Sequence, residues 1–277
     1  ARTALNVIGN ALAVLVIAAS LSALDLFAGH IASNRALLEY RSVIGERLGH
    51  FAIQRPRARQ NEGAPMFDRE EAVRIRQIVE GTQGVALVLP QMSLGGLAST
   101  GERSALFHGE GVDAASPAEA PGKLKAGVRN GIAVSVGQAR TLGLRNGSNV
   151  TLTAAAADAQ TRPLNAEVVD IFSTAGLSAD ARSVLMPFEL AQTLLETQRT
   201  ERFVVFLTEP AQMEEKRDQL RRALKQGGVT AEIRTWQEQS PSFIVADKTA
   251  KVSFDSVAGM AFAVIGAAIA ATISMNA

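Results

Sequence analysis

The sequence predicts a water-exposed α+β domain in two lobes, built of mixed sheets plus helices and flanked by two transmembrane helices. Three observations predict it. The 277-residue chain begins and ends in uncharged apolar stretches, residues 4–24 and 257–277. Its charged residues, 20% of the total, lie almost entirely between them. Between those stretches, strand-like alternation and helical periodicity succeed one another without settling into one repeat.

Composition narrows the classes. A net charge of +1 argues against a nucleic-acid surface or a cation store. The chain has no cysteine, which excludes disulfides, thiolate metal sites and cysteine nucleophiles. Aromatics are 5%, with one Trp and one Tyr, poor material for stacking bases. Abundant Ala, Arg and Gly fits a GC-rich bacterial source.

The first apolar stretch, extended past Phe27, exceeds the roughly 20 residues that cross a hydrocarbon core. Its polar residues Asn6, Asn10 and Asp25 lie toward the two ends. A cleaved signal would have a shorter apolar region and a basic cluster before it, and only Arg2 precedes this one. The second stretch is rich in Gly and Ala. Gly259, Gly266 and Ala270 suit a helix that packs closely against others in a membrane. The alternative is an Ala-rich core helix. The lack of an initial Met and the apolar end suggest a fragment of a longer polypeptide. Arg2 before the first span and Arg35 and Arg41 after it do not decide orientation.

Within the domain, residues 33–49 carry Leu37, Leu38, Val43, Ile44 and Leu48 among Arg and Glu, a helix leaving the membrane. Residues 50–55 alternate like a strand and Pro56 stops them. Residues 58–67 are a loop. Asp68 and Glu71 form a capping-box pattern for a helix through Glu80, closed by Gly81 and Gly84. Residues 85–90 read as a short buried strand, and 94–98 with 103–108 as a pair around a turn. Residues 109–127 read as a loop, 132–136 as an apolar segment and 138–142 as a short helix. Asn146-Gly147 is a hairpin-type turn. Strands follow at 149–155, 164–172 and 183–186, and Pro187 opens a helix through Leu195. Residues 203–207 (FVVFL), 212–226 and 229–235 form a strand–helix–strand unit, its helix carrying Met213, Leu220 and Leu224 on one side.

Residues for chemistry are scarce. There is no P-loop, no H-E-x-x-H and no G-x-S-x-G. His30, His50 and His108 are scattered. Glu70-Glu71 and Glu214-Glu215 read as solvated helix charges. The acceptor patterns at Asn146 and Asn149 are better explained by the turn. Gly95-Gly96 and Gly109-x-Gly111 match ligand loops or, more ordinarily, turns. Arg217, Arg221, Arg222 and Lys225 make a basic helix face, able to dock an anion but ordinarily just solvated. No catalytic, cofactor-binding or metal-ligating residue is expected, nor any cofactor. That favours transport, sensing or scaffolding over an enzyme.

The order and spacing of several segments carry a resemblance. They are Gly49-His50-Phe51-Ala52-Ile53, then GVALVLPQMSLGGLAS (residues 84–99) and FHGEGVDA (107–114). Residues 139–152 follow, with Asn146 departing from the more usual pattern. VVDIFSTAGLSADARSVLMPFELAQTLL (168–195), Thr235-Trp236-Gln237-Glu238 and the closing Ser274-Met275-Asn276 complete the set. Together they resemble FtsX/MacB/LolC-type ABC transporter permeases.

The resemblance implies a four-span permease in a bacterial inner membrane, multi-pass, with its large periplasmic domain between spans one and two. Only the N-terminal half would be present here. Residues 1–32 would be the first span, 33–250 the MacB-like core domain and 251–277 an incomplete second span. Lobe one would take residues 33–90 with 200–250, and lobe two 91–199. Implied partners are an ABC ATPase subunit, separate or fused, a second permease copy or paralogue, and membrane lipid. A lipoprotein, periplasmic adaptor or other export substrate would be the cargo side. No nucleic acid is implied. ATP-driven closure would move the outer domain for export or lipoprotein release. The competing class is a membrane-tethered sensor, which would continue past residue 277 into a signalling helix. A periplasmic adaptor would need coiled-coil heptads, which are not seen.

Overall fold

The computed structural model describes residues 2–56, 65–113, 115, 120, 122–124, 128–154, 162–173 and 182–276. In chain order the elements are α1 (Arg2–Tyr40), a π-helical turn (Arg41–Gly45), β1 (Phe51–Gln54), α2 (Arg69–Glu80), β2 (Val85–Ser99) and β3 (Ser104–Val112). Next come β4 (Gly131–Ser135), α3 (Val136–Leu142), β5 (Asn149–Ala154), β6 (Leu164–Phe172), β7 (Ser183–Pro187) and α4 (Phe188–Leu194). The chain closes with β8 (Arg202–Leu207), α5 (Met213–Gln226), β9 (Glu232–Thr235), α6 (Trp236–Gln239) and α7 (Pro241–Asn276). Contacts divide it into a helical pair and a folded domain, with boundaries at Tyr40/Arg41 and Gln239/Ser240.

In the helical pair, α1 and α7 have 39 and 36 residues. At 1.5 Å per residue they are roughly 58 and 54 Å long, well beyond a 30 Å hydrocarbon core. Both are long and apolar enough to cross a membrane. Leu12, Leu15, Leu21, Met260, Phe262 and Ile273 face outward, the pattern of helices solvated by lipid. The two run antiparallel. Phe27 stacks on Phe254 at 6.5 Å, and Arg35 meets Asp247 at 3.4 Å while crossing the Phe243 ring at 5.5 Å. The expected breaks at 32/33 and 250/251 fall inside these helices. The apolar periodicity of residues 33–40 simply continues α1.

The domain has two cores. The first packs Phe51, Ile53, Val88, Phe203, Val205 and Ile233 under Ile75 and Val79 of α2 and Leu220 and Leu224 of α5. Its strands run β2-β8-β1-β9, all antiparallel neighbours. β8–α5–β9 is therefore a split unit with β1 between its two strands. Asp68 caps α2 as the sequence predicts, accepting from the Glu71 amide at 2.8 Å, while Glu71 accepts from the Asp68 amide at 3.1 Å. Glu71 also binds Arg55, which lies over the Phe67 ring.

The second core is a barrel. β2 pairs with β3, β3 with β7, β7 with β4, β4 with β6, β6 with β5, and β5 returns to β2. The β3–β7 and β4–β6 pairs are parallel, so the pairing is mixed. Met92, Ile132, Leu152, Val168 and Met186 fill the interior with Phe188, Ala191 and Leu194 of α4.

Several expectations change. Residues 85–90 and 94–98 are one 15-residue strand, β2, running straight through Pro90. Residues 109–112 belong to β3, because their backbone pairs with β2 and β7. The Asn146-Gly147 turn, with Gly147 at φ +86°, joins α3 to β5 instead of closing a hairpin. The 58–67 loop, the 109–127 loop, the end of the 149–155 strand and the middle of the 168–195 segment fall partly outside the described residues.

Candidate functional site at the junction of the two cores

β2 is the element both cores share. Its residues 85–91 pair with β8 in the first core, and its residues 91–99 pair with β3 in the second. Gln91 is the changeover, register partner of both Arg202 and Val112. Pro90, just before it, has no N–H to give a ladder, which suits a strand switching neighbours.

A polar network sits at that changeover. The Arg202 Nε donates to Gln91 Oε1 at 3.0 Å, and Gln91 Nε2 donates to Glu110 Oε2 at 3.3 Å. Arg202 also pairs with Glu110 and with Glu201, both at 3.5 Å. Glu201 accepts from the Ser93 amide. Arg202 is 17% exposed and Glu201 12%, so the pairs are only partly screened by water. The group joins β8 and β2 of one core to β3 of the other. It is a set of ion pairs and amide bonds that fixes relative position.

A second link comes from the strap of residues 41–50 that follows α1. Its turns are closed by Glu46 N–H to Arg41 O at 2.9 Å and Leu48 N–H to Ser42 O at 3.2 Å. The strap lies on the face of the first sheet opposite α2 and α5, against Leu89, Val204 and Phe206. Gly49 is tight here: at φ +61°, a Cβ would stand 2.4 Å from Val204 Cγ1. His50 Nδ1 accepts the Leu207 N–H at 3.0 Å, and its ring meets Phe206 edge-on. Burial pushes the His50 pKa below its usual 6.5. Arg47, buried and at φ +53°, donates from Nη2 to the Gly122 carbonyl of the barrel at 2.9 Å. Burial lowers its pKa, and Glu110 acts in the opposite direction.

The chain enters and leaves the domain at one place. β1 follows the strap, and β9 leads through α6 to α7. These two strands are neighbours, with Phe51 opposite Thr235. Trp236 N–H donates to the His50 carbonyl at 3.2 Å, which fastens the two connections together.

A cleft of about 870 Å³ opens between the cores, bordered by Arg69, Val73 and Arg76 of α2 and by Gln192, Thr193 and Glu196 of the α4 side. Its charges are mixed, since Arg162 pairs with Glu196 at 3.0 Å.

The residues singled out in the sequence do not converge. Gly96 is a strand residue whose Cβ would meet Thr153 O at 2.3 Å, and Gly111 one whose Cβ would meet Ala191 Cβ at 2.4 Å. Both are close-approach positions in strands; neither is a ligand loop or a turn. Arg217 pairs with Glu238 of α6 at 3.1 Å and Arg221 with Asp218 of its own helix at 2.7 Å, so the basic face is partly neutralised. His30 bonds Asn34 in α1, His50 lies in the strap and His108 in β3. Among the described residues no cluster of His, Asp or Glu is arranged to hold a metal ion. Sequence reasoning missed Arg47, Gln91, Glu110 and Arg202. The one local signal was a proline inside an apolar strand.

No known family pattern matches the chain, and no curated protein matches it. Solved structures do. The extracellular domain of the noncanonic ABC-type transporter YknZ from Gram-positive bacteria is 14% identical, with a TM-score of 0.48, covering 67% of this chain and 98% of that one. The periplasmic region of MacB from Actinobacillus actinomycetemcomitans is 12% identical, with a TM-score of 0.49, covering 68% and 88%. A domain of a permease protein from Porphyromonas gingivalis is 15% identical, with a TM-score of 0.40, covering 66% and 85%. Each is a likeness of fold in outline.

Proposed function

We propose that this chain is the permease subunit of a mechanotransmission-type ABC transporter. ATP hydrolysis by a cytoplasmic partner moves the extracytoplasmic domain through the two helices, for export or lipoprotein release. The observation that carries this reading is the pairing of β1 with β9, which gathers both connections to the apolar helices onto one sheet edge. A displacement of the helices therefore acts on one place in the domain instead of stretching it between two. The sequence resemblance supports the same reading.

On this reading the chain is not itself an enzyme. It sits in a bacterial inner membrane as part of a multi-pass protein, its domain in the periplasm, beside a second copy or paralogue. The two cores act as the lobes, divided at 90/91 and 199/200.

The test is reconstitution in lipid with an ABC ATPase as the candidate partner. Hydrolysis is expected only from the complex and to be altered by this chain. Hydrolysis by this polypeptide alone, or an ATPase indifferent to it, refutes the proposal.

A further inference from the structure

Among the described residues, two of the links between the cores differ in kind. The first is the shared strand with its Gln91–Glu110–Arg202 network. The second is made by the strap, which follows α1 directly and precedes the first strand of the domain.

We infer that Arg47 is the positioning residue that ties this strap to the barrel, so that a displacement arriving along the strap moves the second core directly. The inference deepens the permease reading and rests on it for its purpose. Two features of Arg47 carry it, together with the seat at Gly122. Arg47 is 7% exposed, so its guanidinium is held away from water, an arrangement tolerated only with specific partners. Its backbone lies at φ +53°, a left-handed conformation that an unconstrained arginine avoids. Two unfavourable features at one residue persist where the surroundings enforce them.

The receiving end is also built. Gly122 lies at φ +78°, and a Cβ there would stand 2.6 Å from Leu185 Cδ1 and 2.9 Å from Phe172 Cδ1. Only glycine fits. Leu185 and Phe172 form a small buried cluster with Ala133 on the barrel, so the Gly122 carbonyl is seated on packed side chains. The next amide, Lys123 N–H, donates to Asp170 Oδ2 of β6 at 2.7 Å and fixes the segment a second time. The 2.9 Å bond from Arg47 therefore joins two rigid seats 75 residues apart in sequence.

The chain has no cysteine, so introduced pairs report cleanly. Spin labels at Arg222→Cys on α5 and Arg145→Cys before β5, both exposed, measure the distance between the cores by pulsed electron resonance. The full chain is used, in lipid nanodiscs without ATPase. Arg47→Met keeps much of the apolar stem and removes the donor. It is expected to broaden the distance distribution about twofold, as a fixed joint becomes a hinge. Gly122→Ala breaks the same link from the barrel side and is expected to give the same broadening, which covers the case in which Arg47→Met does not fold. A distribution unchanged from the parent in either folded variant overturns the inference. If the partner ATPase proves indifferent to this chain while the broadening occurs, the tie stands and the permease reading falls.

Discussion

Gly111→Ala tests the packing of α4 on the barrel with a number taken from the structure. The new Cβ would sit 2.4 Å from Ala191 Cβ and 3.2 Å from Met92 Cγ. Carbon atoms rest at about 3.5–4 Å, so α4 and β3 must part by roughly 1–1.5 Å, while Met92 can yield by rotation. Overpacking of this size costs about 1–3 kcal/mol. The gain from restricting a glycine in the unfolded chain offsets only about 0.4–1 kcal/mol. Ala191, fully buried, is the other half of the contact. Ala191→Gly alone loses a buried methyl and helix propensity, together about 1.5–2 kcal/mol. The double variant removes the clash, so it should be little worse than Ala191→Gly, with a coupling of about 1–2 kcal/mol. Urea unfolding in detergent, followed by far-ultraviolet circular dichroism, gives the four stabilities of the cycle. Effects that add to within about 0.5 kcal/mol would refute the claim that Gly111 is there to admit α4.

Two further predictions concern the first core. Asp68→Ala removes the side-chain acceptor of the Glu71 amide and should lower stability by about 1 kcal/mol, seen as an earlier urea midpoint; an unmoved midpoint contradicts the capping role. His50 has a folded-state pKa held below its usual 6.5, so the unfolded chain takes up the proton first as pH falls. Its contribution is complete above about pH 6.5 and declines as pH drops toward the lowered folded value. His50→Asn, which keeps an acceptor near the Leu207 amide, should flatten that part of the stability–pH curve; an identical slope in parent and variant rejects this.

The local chemistry of the fold could be read from the residues. Asp68 and Glu71 mark a helix start because the box needs only those two side chains at that spacing. FVVFL at 203–207 and the Leu220/Leu224 stripe mark a buried strand and a helix face for equally local reasons. The two-strand expectation for β2 fails because Pro90 ordinarily interrupts a ladder and here sits where the strand changes partners. Residues 109–112 looked like loop, since glycines weaken strand propensity, whereas Gly111 is small to make room for Ala191. The junction network was out of reach: Gln91, Glu110 and Arg202 are brought together by register between distant strands. Arg47 gave no sign either, because its left-handed backbone is imposed by the strap it belongs to.

The nesting of the barrel has a consequence for how the chain is made. Gln91 and Arg202, where the chain departs for the barrel and comes back, are opposite each other in one ladder. During synthesis the barrel can therefore close as an independent loop while β1, α2 and the first half of β2 still wait for β8. The earlier half of the first core must stay unsatisfied until more than a hundred later residues have emerged.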